Sequence, residues 1–169
     1  MSEERVIEIT DAPLTEAGAG ALLRPTRVDW TATTPEVRRL DLEAGEGWLE
    51  RCAGQGELVL GAAAITDAGE LDAEFVIHLA VSSRDEPVSG RTVSMALRNA
   101  LRRAAEWDVR SLAVPLLGTG PAGLGLEEAC RLMAPHLDGF VAGGEGRTVR
   151  IAAEDPAELE AAREAWPAG

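Results

Sequence analysis

Lysine and tyrosine are absent from this 169-residue chain, and all sixteen of its basic side chains are arginines. The 29 acidic residues bring the net charge to −13. Proteins that bind nucleic acids broadly need a basic face for the phosphates, so this composition argues against that class. It does not exclude a pocket in which backbone N–H groups bind one small anion.

Cysteine and histidine are also scarce, with two residues of each. Cys52 and Cys130 are too few for a disulfide framework, and no paired Cys or His spacing predicts a metal site. No apolar run approaches the length of a membrane-spanning helix, and the acidic N-terminus lacks the apolar segment of a signal peptide. We therefore expect one cytoplasmic domain over residues 1–169, without metal, cofactor or membrane contact.

Short apolar runs alternate with amphipathic stretches from residue 36 onward, which predicts a mostly parallel sheet with helices on both faces. Ligands of such sheets bind beyond the carboxyl ends of the strands. The predicted strands are residues 6–9, 21–23, 58–66, 75–81, 111–117 and 149–152. The predicted helices are residues 35–52, 93–107, 126 onward and 156–166.

Proline and capping residues set several of these boundaries. Pro25 should stop the second strand, and Pro135 should end or kink the helix that contains it. Thr34 before Pro35 is typical of a helix start. Asp155, followed by proline at the first helical position and by Glu158, predicts a capping box.

The strongest local motif is a glycine-rich loop, Gly118–Gly125, between a buried strand and a helix. Glycines allow the backbone to approach a ligand, and the following helix N-terminus favours a phosphate or diphosphate. An equally good interpretation is a strand-to-helix turn that needs glycine for its own geometry. The loop matches neither the phosphate loop of nucleotide hydrolases nor the G-x-G-x-x-G of dinucleotide-binding dehydrogenases.

Three stretches in order, residues 56–71, 75–78 and 113–124, resemble the macrodomain family of ADP-ribose-binding modules. The resemblance implies a three-layer α/β/α fold whose mixed, mostly parallel sheet lies between helices. It implies that ADP-ribose, or a related nucleotide with a diphosphate, binds in the loop. It also matches Asp11 to the family's adenine-reading aspartate, although a turn-capping role explains Asp11 equally well. The loop residues implied as ligand contacts are Gly118, Thr119, Gly120, Pro121, Ala122, Gly123 and Leu124.

The chain departs from the family where typical members carry N-A-A-N and a glycine-rich first phosphate loop. Residues 24–27 and 33–36 stand at those positions, and the only asparagine of the chain, Asn99, lies mid-helix. Arg24 and Arg27 could contact an anionic ligand, or they could be a solvated pair that balances local acids, which we favour. The hydroxyl of Thr33 could bind a phosphate, whereas Glu36 would repel one.

These departures leave three functions open. The first is a binding module, the second is a scaffold that serves a protein partner or a homodimer, and the third is an ADP-ribosyl hydrolase, in that order. Without the family's asparagines, no catalytic residue can be assigned. We expect His78, in the middle of an apolar strand, to be structural.

Overall fold

The computed structural model describes residues 7–167. Six strands and five helices form in that range, with a short 3₁₀ turn at Leu14–Glu16. The strands are β1 (Ile7–Thr10), β2 (Ala21–Arg27), β3 (Ala63–Asp67), β4 (Phe75–Ser82), β5 (Ser111–Pro115) and β6 (Thr148–Ala152). The helices are α1 (Pro35–Glu43), α2 (Trp48–Ala53), α3 (Gly90–Glu106), α4 (Leu126–Ala142) and α5 (Pro156–Ala165).

All six strands form one sheet in the order β1-β6-β5-β2-β4-β3. Every neighbouring pair is parallel except β3 and β4. The loops that follow β1, β2, β5 and β6 therefore leave the same edge of the sheet, where α/β proteins bind ligands.

Two helical layers cover the sheet, as expected. Buried side chains of α3, α4 and α5 pack on one face. Those of α1, α2 and the 3₁₀ turn pack on the other face, around Trp48 and Leu40. The predicted α/β/α class and mostly parallel sheet are confirmed.

The predicted helix starts are also confirmed. The Thr34 hydroxyl accepts the Val37 backbone N–H at 3.3 Å, with Pro35 in the first turn of α1. Asp155 accepts the Ala157 N–H at 2.8 Å in the same way at the start of α5. Each cap satisfies one of the backbone donors that a helix N-terminus leaves free.

The prediction that Pro25 ends the second strand is wrong, because β2 continues to Arg27. Strand β5 pairs with β2 only at Ala21 and Leu22, so the rest of that edge has no ladder partner. A proline, which lacks an N–H, is tolerated on such an edge. Pro135 does not end α4, which continues to Ala142, and the alternative of a kink at Pro135 stays a prediction.

The predicted helix over 35–52 is two helices. Gly45 and Gly47 between them have φ of +105° and +78°, left-handed conformations that break an α-helix. Two strands are shorter than predicted: residues 58–62 and 116–117 are loop. Strand β1 matches its prediction from Ile7, while Val6 lies outside the described residues. No helix between residues 7 and 167 is long and apolar enough to cross a membrane.

Candidate ligand-binding crevice

The glycine-rich loop lies between β5 and α4 at the carboxyl edge of the sheet. Gly118 and Gly120 have φ of +76° and +115°, and Ala122, which is not a glycine, has φ of +60°. The loop closes on itself, because the Gly123 N–H donates to the Gly120 carbonyl at 3.0 Å and the Leu124 N–H to the Gly118 carbonyl at 2.7 Å. Alternating left-handed residues of this kind turn successive N–H groups toward one side and form an anion-binding concavity.

Close packing explains two of the glycines. A Cβ on Gly118 would lie 2.7 Å from Val93 Cγ2. A Cβ on Gly123 would collide with the Gly118 carbonyl. The turn interpretation therefore accounts for Gly118 and Gly123, whose backbone is buried against its neighbours.

The amides of Thr119, Gly120 and Ala122 are among those of the loop that have no hydrogen-bond acceptor among residues 7–167. The N-terminus of the 17-residue helix α4 follows directly, capped by Gly125 without a side-chain acceptor. Free N–H donors at a helix N-terminus are the groups that bind phosphate oxygens in other α/β proteins. The loop therefore has the chemistry of an anion site in addition to its structural role.

The segment before α1 faces this loop. A Cβ on Gly120 would lie 3.7 Å from the Thr33 carbonyl oxygen and 3.7 Å from the Thr34 methyl group, so the two segments are nearly in contact. The Thr33 hydroxyl is 3.4 Å from the Pro25 carbonyl, to which it donates. The structure brings Thr33 beside the glycine loop, and its contact with a ligand stays a prediction.

Arg24 does not face this crevice, which corrects its assignment as a ligand contact. Its side chain has no exposed surface. Its Nε donates to Asp41 Oδ1 at 2.7 Å, and its Nη2 donates to Asp41 Oδ2 at 2.9 Å. Nη2 also donates to the Trp30 carbonyl at 2.7 Å. The predicted balance with a local acid is confirmed, but the expectation that Arg24 is solvated is wrong, because its side chain is buried. Arg24 anchors both α1 and the loop after β2.

Trp30 is a structural residue of that loop, and no pattern in the sequence singles it out. Its side chain is 2 % exposed, and its indole donates to the Gly56 carbonyl at 2.8 Å. Its φ of +71° is an uncommon conformation for a bulky residue. The Arg24 hydrogen bond to its carbonyl helps to hold this conformation, so the loop after β2 has a fixed shape.

His78 is structural, as predicted. It is fully buried in β4, with the rings of Trp30 edge-on at 4.8 Å and Trp48 stacked at 5.6 Å. Arg24 can only donate, so His78 Nδ1 accepts at 3.3 Å and Nε2 donates to the Thr66 hydroxyl at 2.9 Å. Burial, followed by the Arg24 charge, holds the pKa of His78 well below its usual value, and the ring is neutral.

The carboxyl groups of Glu36 and Glu158 lie together at the N-termini of α1 and α5. Glu36, in the first turn of α1, hydrogen-bonds to Glu158 in the first turn of α5. Burial, the Glu36 charge and the shared hydrogen bond together raise the pKa of Glu158 to about 7, and a backbone hydrogen bond at Asp155 opposes them. Burial also raises the pKa of Glu36. The resemblance to macrodomains placed Glu36 near the position of a bound phosphate, but nothing in the sequence indicated that Glu36 contacts Glu158.

Asp11 and Arg27 lie at the same edge of the sheet. Asp11 follows β1 and is exposed, and Arg27 ends β2 with its Nε 3.8 Å from the exposed Asp29 carboxylate. The adenine-reading role of Asp11 stays a prediction.

A separate cleft of about 580 Å³ opens between α4 and α5, starting at Gly125. Its charged lining is mostly acidic and includes Arg131 as a cation. This charge disfavours a diphosphate, so the glycine loop is the better anion site. No group of three or more metal-ligating side chains occurs in the described part of the chain.

The family model and the relatives found by comparison with known proteins agree with one another. The Macro domain family model matches residues 40–133. An uncharacterized protein of Mycobacterium tuberculosis is 38% identical over 99 residues, which are 59% of this chain and 28% of that protein. An O-acetyl-ADP-ribose deacetylase of Klebsiella pneumoniae is 36% identical over 89 residues, 52% of this chain and 51% of that protein.

Among solved structures, the Oceanobacillus iheyensis macrodomain with ADP superposes with a TM-score of 0.83 at 18% identity, over 96% of this chain and 90% of that one. The chain thus has the α/β/α fold of that macrodomain. The family match covers more than half of the chain, and the chain belongs to the macrodomain family. It spans between about a quarter and a half of the length of the two curated relatives described above.

Proposed function

We propose that this macrodomain binds ADP-ribose, or a related nucleotide with a diphosphate, in the crevice between the glycine loop and the segment before α1. The observation that carries the proposal is the set of free amides at Thr119, Gly120 and Ala122, directly before the N-terminus of α4. Together they provide hydrogen-bond donors and a partial positive charge for phosphate oxygens. This site needs no basic side chain, which agrees with the acidic composition.

Two comparisons support the choice of ligand. The O. iheyensis structure, which has the same fold, holds ADP. The K. pneumoniae relative is described as an O-acetyl-ADP-ribose deacetylase, and both names involve an adenosine diphosphate. The shared chemistry is a diphosphate attached to adenosine.

The test is a calorimetric titration with ADP-ribose, comparing wild type with Ala122→Pro and Gly120→Glu. Proline removes the Ala122 N–H and excludes its φ of +60°, and glutamate places a charge between the loop and Thr33. We expect both variants to weaken binding at least tenfold. The matched control is Gly146→Ala, a left-handed glycine before β6 whose added Cβ meets nothing within 4 Å. Equal binding by Ala122→Pro, Gly120→Glu and wild type would refute this site.

Catalysis is not part of the proposal. General acid–base chemistry needs a side chain that activates water beside the reacting carbon. Glu36, which follows the segment beside the glycine loop, shares its hydrogen bond with Glu158. Incubation with O-acetyl-ADP-ribose and an acetate assay tests this directly, and turnover would show that the chain is a hydrolase. A protein that binds no nucleotide would instead fit the scaffold hypothesis.

A further inference from the structure

The chain after β2 folds back along its own strand. The Arg27 N–H donates to the Thr31 carbonyl at 3.0 Å, and Thr26 forms an antiparallel bridge with Ala32. The returning residues 31–34 occupy the part of the β2 edge with which β5 does not pair. They end beside the glycine loop, and we call them the facing segment.

A left-handed tryptophan stands at the turn that makes this return possible. Residues 28–30 form a three-residue turn, in which the Trp30 N–H donates to the Arg27 carbonyl at 2.9 Å. The third residue of such a turn commonly takes a left-handed conformation, which glycine adopts most readily. Trp30 occupies that position here, with φ of +71°. The direction of the facing segment therefore depends on the contacts that hold Trp30 in place.

The buried Arg24 guanidinium holds the facing segment at both ends. Before the segment, its Nη2 donates to the Trp30 carbonyl at 2.7 Å. After the segment, its Nε and Nη2 donate to the Asp41 carboxylate of α1 at 2.7 and 2.9 Å, and α1 begins directly after Thr34. Its Nη1 lies 3.3 Å from His78 Nδ1 in β4, so the guanidinium is also fixed to the sheet. One side chain thus determines where the facing segment starts and where it ends.

The facing segment is nearly in contact with the glycine loop. A Cβ on Gly120 would lie 3.7 Å from both the Thr33 carbonyl oxygen and the Thr34 methyl group. No hydrogen bond joins the segment to the loop in the described part of the chain, so their separation depends on how each is held from behind. Binding groups act together only when they are held within about 0.5 Å of the productive geometry.

We propose that Arg24 is a positioning residue for the binding of ADP-ribose, because it holds the facing segment at the separation from the glycine loop that the ligand requires. This inference rests on the proposed function, since it concerns the same site. Arg24 itself has no exposed surface and does not touch the ligand. A segment without this anchor occupies the competent position only part of the time, and the apparent affinity falls by that fraction. If about one tenth of the molecules stay competent, Kd rises about tenfold.

Two variants remove the Arg24 contacts without changing the net charge. Arg24→Met/Asp41→Leu replaces the ion pair by apolar side chains, an exchange that buried pairs commonly tolerate. Arg24→Lys keeps the charge beside Asp41 but lacks the planar fork that binds the carboxylate and the Trp30 carbonyl at once. A change in affinity then reports on the position of the segment and not on the charge of the protein.

Two control variants leave the facing segment intact. Val149→Ala truncates a side chain that is buried in β6 and pairs with the start of β5, so it lowers stability at the end of the strand away from the glycine loop. Glu43→Ala changes an exposed residue of α1, the helix that carries Asp41.

The experiment is a calorimetric titration with ADP-ribose at a temperature at which circular dichroism shows each protein to be folded. Both Arg24 variants should bind about tenfold more weakly than wild type, with a stoichiometry that stays near one. Val149→Ala and Glu43→Ala should keep the wild-type Kd within about twofold. A merely structural role would instead lower the stoichiometry and leave the Kd of the folded fraction unchanged.

Amide hydrogen exchange of the free wild-type protein provides a test that needs no variant. The Trp30 N–H should be protected, because its hydrogen bond to the Arg27 carbonyl belongs to a turn that is in place before the ligand binds. Exchange at this amide should be faster in Arg24→Lys, which loses the contact with the Trp30 carbonyl.

The outcomes separate the two proposals. Equal affinity of Arg24→Met/Asp41→Leu and wild type would overturn the positioning role and leave the proposed function intact. Rapid exchange of the Trp30 amide in free wild type would do the same, as would a lower stoichiometry at unchanged Kd in the Arg24 variants. If the double variant does not fold, Arg24→Lys decides by the same criteria. No binding of ADP-ribose by wild type would overturn the proposed function together with the positioning role.

Discussion

The buried pair of Arg24 and Asp41 gives the sharpest test of how this structure is held together. In the described structure, Asp41 is the only carboxylate that contacts the Arg24 guanidinium, and the Arg24 side chain has no exposed surface. Asp41→Ala removes this carboxylate. Arg24 then retains the Trp30 carbonyl and His78 Nδ1 as neutral acceptors. Arginine stays charged at any accessible pH, so the variant buries an uncompensated positive charge.

Breaking a buried ion pair in this way costs about 3–5 kcal/mol. Asp41 is 12 % exposed, and the water that reaches it favours the lower end of this range. In a domain of this length each kcal/mol corresponds to about 2–4 °C, so the melting temperature should fall by about 6–20 °C. That loss is a large fraction of the 5–15 kcal/mol that is typical of folded domains.

Urea unfolding of wild type, Asp41→Ala and Glu43→Ala measures the effect. Glu43 is exposed on the same helix and controls for loss of a carboxylate as such. The double variant Arg24→Met/Asp41→Leu, which replaces the ion pair by apolar side chains, should recover most of the lost stability. If Asp41→Ala and Glu43→Ala both cost less than 1 kcal/mol, Arg24 does not depend on Asp41 and the reasoning fails.

Three further predictions concern caps, carboxyls and thiols. Thr34→Ala should destabilise the fold by about 1 kcal/mol in urea unfolding because it removes the α1 cap, and an unchanged midpoint would contradict the assigned cap. Because the pKa of Glu158 is raised, the folded state keeps a proton that the unfolded chain releases above about pH 4.5. The free energy of unfolding of wild type should therefore fall from pH 5 to pH 7 relative to that of Glu158→Gln. Parallel pH profiles of the two unfolding free energies would contradict this. Cys130 is buried with a thiol pKa of about 11, so a thiol reagent at pH 8 should modify it only after unfolding, and rapid labelling of the native protein at Cys130 would be inconsistent with the structure.

Features that depend on neighbouring residues were predictable from the sequence. The caps at Thr34 and Asp155 are local, because a short polar side chain reaches an amide two or three residues ahead. The alternation of strands and helices gave the sheet class, and the resemblance to macrodomains gave the family. The break between α1 and α2 was missed because the apolar stripe continues through Gly45 and Gly47, and the stripe contains no sign of their left-handed backbone.

Features that depend on distant residues were not predictable. Arg24 stands among apolar residues of β2, and its burial depends on Asp41, which only the packing of α1 on the sheet brings to it. The meeting of Glu36 with Glu158 depends on two helices from opposite faces of the sheet. A long-range contact between two charged side chains leaves no periodic pattern in the sequence. The sequence therefore does not show which residue each side chain will contact.

The central claim is that the glycine loop of this macrodomain binds the diphosphate of ADP-ribose. The most direct measurement is a calorimetric titration of the wild-type chain with ADP-ribose at pH 6, with Ala122→Pro in parallel. We predict a single site with a Kd near the micromolar level, about −8 kcal/mol, and a loss of at least tenfold in the variant. No heat at millimolar ADP-ribose, or equal affinity of the two proteins, would contradict the claim.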